Sequence, residues 1–200
     1  QAAPVVTTGL IDPACCYWSR RSAQLLKKRW HKPIVQLDRL DEAMRNWAKM
    51  RLVPKILLPT QTRVLEPCLD LNGHWLPSVP LITVTTQDID ILPRIASLLA
   101  SPFAALIAIQ RHLGLARNPD AIKLAARDVL DLPIPADEQQ WIKAGQCFIE
   151  AQDAATSTDR DHALEQSASY VHSAFKIDDA ISQDLIAWWR QRLPRSSLND

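Results

Sequence analysis

Residues 13–33 mix cations with aromatic rings: Tyr17, Trp18, Arg20, Arg21, Lys27, Lys28, Arg29, Trp30, His31 and Lys32. Ammonium and guanidinium groups neutralise phosphates and release counterions, and aromatic rings stack on bases or sugars, so this mixture suits a polyanion. A second stretch runs from Arg51-Leu52-Val53-Pro54-Lys55 to Pro59-Thr60-Gln61-Thr62-Arg63. It places two long cations and a Thr-Gln-Thr-Arg tip around a strand-to-strand connection. Gln and Arg can pair with adenine and guanine edges, and Thr can meet a phosphate or a thymine methyl. From composition alone the same charges read first as a solvated sheet edge that discourages aggregation. Trp18, Trp30, Trp47 and Trp75 read as core or domain-contact residues before they read as stacking platforms.

Catalytic signatures are missing. No glycine-rich loop opens a helix after a strand. His31, His74, His112, His162 and His172 stand at no metal-ligand spacing, and no Ser occupies a nucleophile turn. Asp161-His162 beside Tyr170 and His172 is the nearest thing to an acid-base pair, and its polar, Ala-rich setting reads as a solvated helix face. Cys15, Cys16, Cys68 and Cys147 lack zinc-knuckle spacing, so reduced thiols and a cytoplasmic location are expected. The apolar run around Ala104–Ile109 is far too short to span a bilayer, and no membrane partner is expected. Gln1-Ala2-Ala3-Pro4 lacks a signal layout and a starting Met, which reads as a chain excised from something longer.

The chain has 200 residues with 23 Lys+Arg against 22 Asp+Glu, a balance that taken whole argues against a nucleic-acid partner. Divided at residue 65 it reverses. Residues 1–65 hold 12 basic and 4 acidic side chains, and the remainder hold 11 and 18. A basic front and an acidic back emerge. The hydrophobic fraction of 47% is that of a globular chain.

The elements that must position these residues follow from pattern and punctuation. Residues 5–12 read as a short strand or tether and a turn. A helix is expected over 40–50, capped by Asp38 or Asp41, with Met44, Trp47 and Met50 at helical spacing. Strands are expected over 53–58, 62–71 and 75–86, with Asn72-Gly73 closing a tight hairpin and Ser78-Val79-Pro80 marking a bend. Asp88 or Asp90 can cap a helix over 91–100, and Ser101-Pro102 opens another that Gly114 ends. A short strand at 122–124, a helical turn at 127–132, a stop at Pro133-Ile134-Pro135 and helices near 137–155, 161–175 and 178–193 complete the chain. Residues 156–161 read as a linker. The fold class is therefore α+β: a small antiparallel sheet packed by helices in residues 1–135, and an all-helical C-terminal extension in 136–200.

Several weak motifs in order carry a resemblance: Thr7-Thr8-Gly9-Leu10-Ile11-Asp12-Pro13, Arg51 to Leu58, Thr60 to Val64, Leu76-Pro77-Ser78-Val79-Pro80, Leu92 to Pro102, and Lys123 to Pro135 with its Leu-Pro-Ile-Pro exit. Over about residues 5–135 the chain resembles the C-terminal target-recognition region of Taq-type adenine-specific DNA methyltransferases of bacterial restriction-modification or phage-defence systems. The tail, with Trp188-Trp189, is similar to the extension of some bacterial members. The catalytic half of that family carries a loop for S-adenosylmethionine and an Asn-Pro-Pro-Tyr-type motif. Neither is here; Asn118-Pro119-Asp120 lacks the second Pro and the aromatic.

The resemblance thus implies a DNA-reading module without its own enzymatic activity. Its cofactor, S-adenosylmethionine, is expected in a catalytic methyltransferase domain N-terminal to this segment, and its partner is double-stranded DNA. In this reading Arg20, Arg21, Lys27, Lys28, Arg29, Lys32, Arg51 and Lys55 meet phosphates. Gln61 and Arg63 read base edges, supported by Thr60 and Thr62. The alternative is a protein-protein module docking onto the catalytic half or another subunit, with Trp188 and Trp189 as anchors or as packing within the chain's own helices. A free-standing enzyme is the third reading.

Overall fold

The computed structural model describes residues 1–112 and 121–194. The expected end of the second helix at Gly114, and Asn118-Pro119-Asp120, lie outside them. From the N-terminus, β1 (Ala2–Val6) enters a 3-10 turn, then the antiparallel pair β2 (Ile11–Asp12) and β3 (Cys15–Cys16). β4 (Ala23–Leu25) and β5 (Lys28–Trp30) form a hairpin whose turn residues, Leu26 and Lys27, both hold positive φ, 51° and 63°. β6 (Ile34–Gln36) leads to α1 (Glu42–Lys49), capped by Asp41, whose carboxylate accepts the Met44 N–H at 2.7 Å. Asp38, in the 3-10 turn before the helix, is not the cap. β7 (Lys55–Pro59), β8 (Gln61–Thr62), β9 (Cys68–Asp70), β10 (Leu76–Pro77) and β11 (Leu81–Val84) follow.

The second half is helical because caps and breakers fall where helices need them. A 3-10 turn capped by Asp88 runs into α2 (Leu92–Ala100), with Pro93 in the first turn, where its missing N–H leaves no bond unmade. Ser101 breaks the helix, and its hydroxyl accepts the Ala104 N–H at 3.2 Å, which starts α3 (Pro102–His112). After β12 (Ile122–Lys123) and α4 (Ala126–Leu130) come α5 (Glu138–Asp153), α6 (Ser157–Ala174) and α7 (Asp179–Arg190), capped by Asp137, Thr156 and Asp178. The expected linker at 156–161 is thus the capped start of α6. Thr156 accepts the Asp159 N–H there at 3.1 Å.

The fold is α+β, with small, mostly antiparallel sheets and a helical C-terminal part. One sheet has the order β11-β7-β9 and a second the order β10-β1-β6, in which β1 pairs parallel with β10, Val5 opposite Leu76. Asn72-Gly73 therefore closes no β-hairpin, contrary to expectation. The Asp70 carboxylate accepts the N–H groups of His74 and Trp75, each at 2.9 Å, and turns the chain out of its sheet toward β1. Gly73 is still required. Its φ is +65°, and a Cβ there would sit 2.7 Å from the Val53 carbonyl carbon.

One apolar core crosses residue 135. Ile56, Leu58 and Leu69 of the sheet meet Leu92 and Leu99 of α2, Phe148 and Ala151 of α5, Leu164 of α6 and Trp189 of α7. The C-terminal helices thus complete the core of the sheet, and the boundary read at 135 divides the sequence without dividing the core. Trp189 is fully buried there and Trp188 packs beside it, so the pair serves the chain's own packing. Among the described residues no single helix is long and apolar enough to cross a membrane.

Candidate nucleic-acid interface

The β4-β5 hairpin carries Lys27, Lys28 and Arg29, and Lys32 follows it two residues after β5. Only Ala23 is buried, in an apolar cluster with Val6, Leu10, Ile11, Leu57 and Cys68. Leu25 packs against the cluster of Ala3, Val5 and Leu37. These two residues anchor the ribbon, and Trp30 closes it by donating from Nε1 to the Leu25 carbonyl at 3.1 Å. Beyond the anchors, Leu26, Lys27, Lys28, Arg29, Trp30, His31 and Lys32 are all exposed. Among the described residues no carboxylate pairs with Lys27, Lys28, Arg29 or Lys32.

The Thr60–Arg63 tip forms a second polar surface. The Thr60 hydroxyl donates to the Pro80 carbonyl at 3.2 Å and the Thr62 hydroxyl to that of Val64, which fixes the loop and leaves Gln61 and Arg63 exposed. β12 pairs antiparallel with β8 and sets Lys123 opposite Gln61. From the end of α7, Arg192 donates through Nε to the Arg63 carbonyl at 3.2 Å. Lys123 and Arg192 were not anticipated. Nothing in their local sequence reports a strand pairing or a helix end so far along the chain.

Lys55 must be corrected. It is not a solvent-facing phosphate contact: β7 is buried on both faces, and the Lys55 side chain is 1% exposed. Its Nζ lies 2.5 Å from Asp70 Oδ2 and donates to the Val53 carbonyl at 3.1 Å. Burial draws the ammonium pKa down from its ordinary value, against the pull of Asp70. The other expected cations are partly committed. Arg21 forks onto Asp12 at 3.2 and 3.0 Å and lies 3.9 Å over the Tyr17 ring. Arg20 is exposed but donates to the Cys16 carbonyl at 2.9 Å and lies 5.1 Å over the same ring. Arg51 stacks 4.1 Å over Trp47 and donates to its carbonyl, bracing the end of α1. Trp18, Trp47 and Trp75 are partly buried packing residues, and Trp30 alone of the four is exposed.

The residues read for acid-base chemistry do not converge. His172 is buried against Ser182, Nδ1 to Oγ 2.7 Å, with Nε2 unpartnered, and burial lowers its pKa to about 4. His162 is exposed beside Gln166. The four cysteines are free thiols, and no group of three His, Cys, Asp or Glu among the described residues is arranged to hold a metal ion. Of the described glycines, Gly9 sits in the first 3-10 turn, Gly73 against Val53, and Gly145 within α5 against the Arg94 backbone. No protein-family model matches the chain, and no curated protein matches it significantly.

Proposed function

We propose that this chain is a DNA-reading module: it holds duplex DNA for a catalytic methyltransferase domain outside the chain, and that domain binds S-adenosylmethionine. The observation that carries the reading is the β4-β5 ribbon. Its three cations, Lys27, Lys28 and Arg29, and Lys32 just beyond it have no carboxylate partner among the described residues, whereas Lys55 and Arg21 are neutralised by Asp70 and Asp12. A two-stranded ribbon fits the major groove, and unpaired cations along it gain the counterion-release energy of phosphate binding. Gln61 and Arg63, held by the Thr60 and Thr62 hydroxyls, are the base-edge readers, with Lys123 beside them. The order of motifs, which resembles that of Taq-type target-recognition regions, points the same way.

Binding to short duplexes across a salt series tests it. The wild-type chain binds with an affinity that falls steeply as salt rises. Replacing Lys27, Lys28, Arg29 and Lys32 together with Gln flattens the log-log slope by up to about 0.9 for each phosphate that is no longer neutralised. Gln61→Ala and Arg63→Ala relax discrimination between sequences by about 1–3 kcal/mol each, with less effect on non-specific binding. No binding at low salt, or a flat salt response, overturns the reading.

A protein-docking reading has its own observation. An apolar groove of about 200 Å³ runs between α2 and the segment carrying Leu130, Leu132 and Ile134, with Leu130 83% and Ile134 71% exposed. Leu130→Asp with Ile134→Asp abolishes assembly with a catalytic partner under that reading and leaves duplex binding intact.

A further inference from the structure

We propose that the cleft between β3 and the start of α6 is a binding site for a phosphate group, on grounds independent of the DNA-reading proposal. Three guanidiniums gather on Tyr17, which is buried where the N-terminal strands meet the α5-α6 hairpin. Arg21 and Arg20 lie over its ring, and Arg160 donates from Nη1 to its phenolic oxygen at 2.9 Å. Only Arg21 has a buried counter-charge, Asp12. The next buried carboxyl, Glu66, is held largely protonated at neutral pH. Burial, and then the charge of Asp12, push its pKa up to about 8. Arg160 is 9% exposed, and the carboxylate nearest it, Asp161, is half-exposed at 3.6 Å and does not line the cleft.

The cleft itself measures about 190 Å³. Cys15, Tyr17 and Arg20 form one wall, and Gln152, Thr156 and Arg160 the other. No carboxylate lines it among the described residues, so its lining carries two positive charges and no negative one. The Gln152 amide is already committed, accepting from the Leu69 N–H at 2.8 Å and donating to the Leu69 carbonyl at 3.0 Å. Thr156 is likewise occupied with Asp159. Recognition therefore falls to the two guanidiniums, each of which has placed one nitrogen, Arg20 Nη2 on the Cys16 carbonyl and Cys15 Sγ and Arg160 Nη1 on Tyr17, and presents its other planar donors to phosphate oxygens. The volume lies below the roughly 300 Å³ at which sites begin to take drug-sized ligands, so the fit is a phosphate group and not a whole nucleotide. That group has two possible sources, a free small phosphate or the backbone of a bound duplex.

Cys15 provides a reporter in the wall of the site. Its alkylation by iodoacetamide is followed by peptide mass spectrometry, with buried Cys68 and Cys147 as internal references. Inorganic phosphate is expected to protect Cys15 saturably in the millimolar range, where sodium chloride of equal ionic strength does not. Arg20→Gln also removes the contact of Arg20 Nη2 with Cys15 Sγ at 3.4 Å, so protection is scored against the same variant without phosphate, and there the phosphate needed for half-protection rises about tenfold or more. Arg160→Gln raises it likewise if it folds, and Arg20→Gln carries the test if it does not. Protection by a short duplex that inorganic phosphate competes away assigns the group to the DNA backbone. Protection by inorganic phosphate alone assigns it to a free ligand. Protection equal for phosphate and chloride, or unchanged in Arg20→Gln, overturns the proposal. The Gln replacements at Lys27, Lys28, Arg29 and Lys32 lose duplex affinity but keep phosphate protection, so the two proposals fail separately.

Discussion

Removing either partner of the Lys55–Asp70 pair separates a structural cation from a DNA-facing one. Breaking a buried ion pair from one side costs about 3–5 kcal/mol, a large share of the roughly 5–15 kcal/mol that holds a domain folded. The two sides are unequal here. Lys55→Met leaves the Asp70 carboxylate with the N–H groups of His74 and Trp75 at 2.9 Å, a partial replacement for its missing partner. Asp70→Asn leaves the ammonium with only the Val53 carbonyl at 3.1 Å. Lys55→Met is therefore expected near the lower end, about 3 kcal/mol, and Asp70→Asn nearer the upper. The Asp70→Asn deficit shrinks as pH rises and the stranded ammonium loses its proton. The double variant Lys55→Met/Asp70→Leu loses less than the sum of the two single changes, since it strands no charge. Urea unfolding followed by tryptophan fluorescence measures all three. A loss below about 1 kcal/mol for Lys55→Met refutes the reasoning. So does an unchanged unfolding free energy with a salt slope for duplex binding reduced by about 0.9, which puts the ammonium on a phosphate.

Other consequences follow from the turn and from two buried titratable groups. Leu26 and Lys27 hold positive φ that Asn and Gly adopt more cheaply, so Leu26→Asn/Lys27→Gly raises unfolding stability by about 1–2 kcal/mol; a loss would show that these side chains stabilise the turn. His172 is held neutral with its pKa lowered to about 4, from 6.5. The unfolded chain therefore takes the proton first, and stability falls by about 3 kcal/mol as pH drops from 6.5 to 4; His172→Gln flattens that limb of a pH series of urea melts. Glu66 has the opposite sign. Its pKa is raised from 4.5 to about 8, so its contribution is full below 4.5 and lost as pH climbs to 8, by several kcal/mol. Glu66→Gln removes that slope, and an unchanged slope would show that Glu66 ionises normally.

Helices were legible from sequence because their signals are local. Asp41, Asp88, Ser101 and Asp178 cap or break where the apolar period begins or ends, and each does so in the structure. Strand partners were not legible, because pairing is a long-range choice. Nothing near Leu76 announces a parallel partner at Val5, and nothing near Gln61 announces Lys123. Asn72-Gly73 gave the turn but not its consequence, since the Asp70 carboxylate redirects the chain after it. For Lys55 the signal of burial is present in the sequence. Ile56-Leu57-Leu58 between two prolines is a continuous apolar run, which marks a strand buried on both faces and leaves no outward position beside it.

The basic front also admits a bland explanation, since charges on an exposed ribbon keep it from pairing with a neighbouring chain. Edge protection depends on the presence of charge, and phosphate binding depends on its sign. Residues 13–37 contain no Asp or Glu at all, so the ribbon holds one sign of charge where a mixture would guard an edge as well. Replacing Lys27, Lys28, Arg29 and Lys32 with Glu separates the two. The turn, β5 and the position just beyond it remain highly charged, Ala23 and Leu25 still anchor the hairpin, and the unfolding free energy moves by no more than about 2 kcal/mol, at up to about 0.5 for each surface change. If the ribbon meets DNA, duplex affinity at low salt collapses and weakens further than with the neutral Gln replacements, because four attractions have become four repulsions. If it guards an edge, the Glu form binds duplex as the wild type does and stays monomeric in light scattering, while the Gln form aggregates. Equal duplex binding by the Lys/Arg and Glu forms would remove the ribbon from any DNA interface.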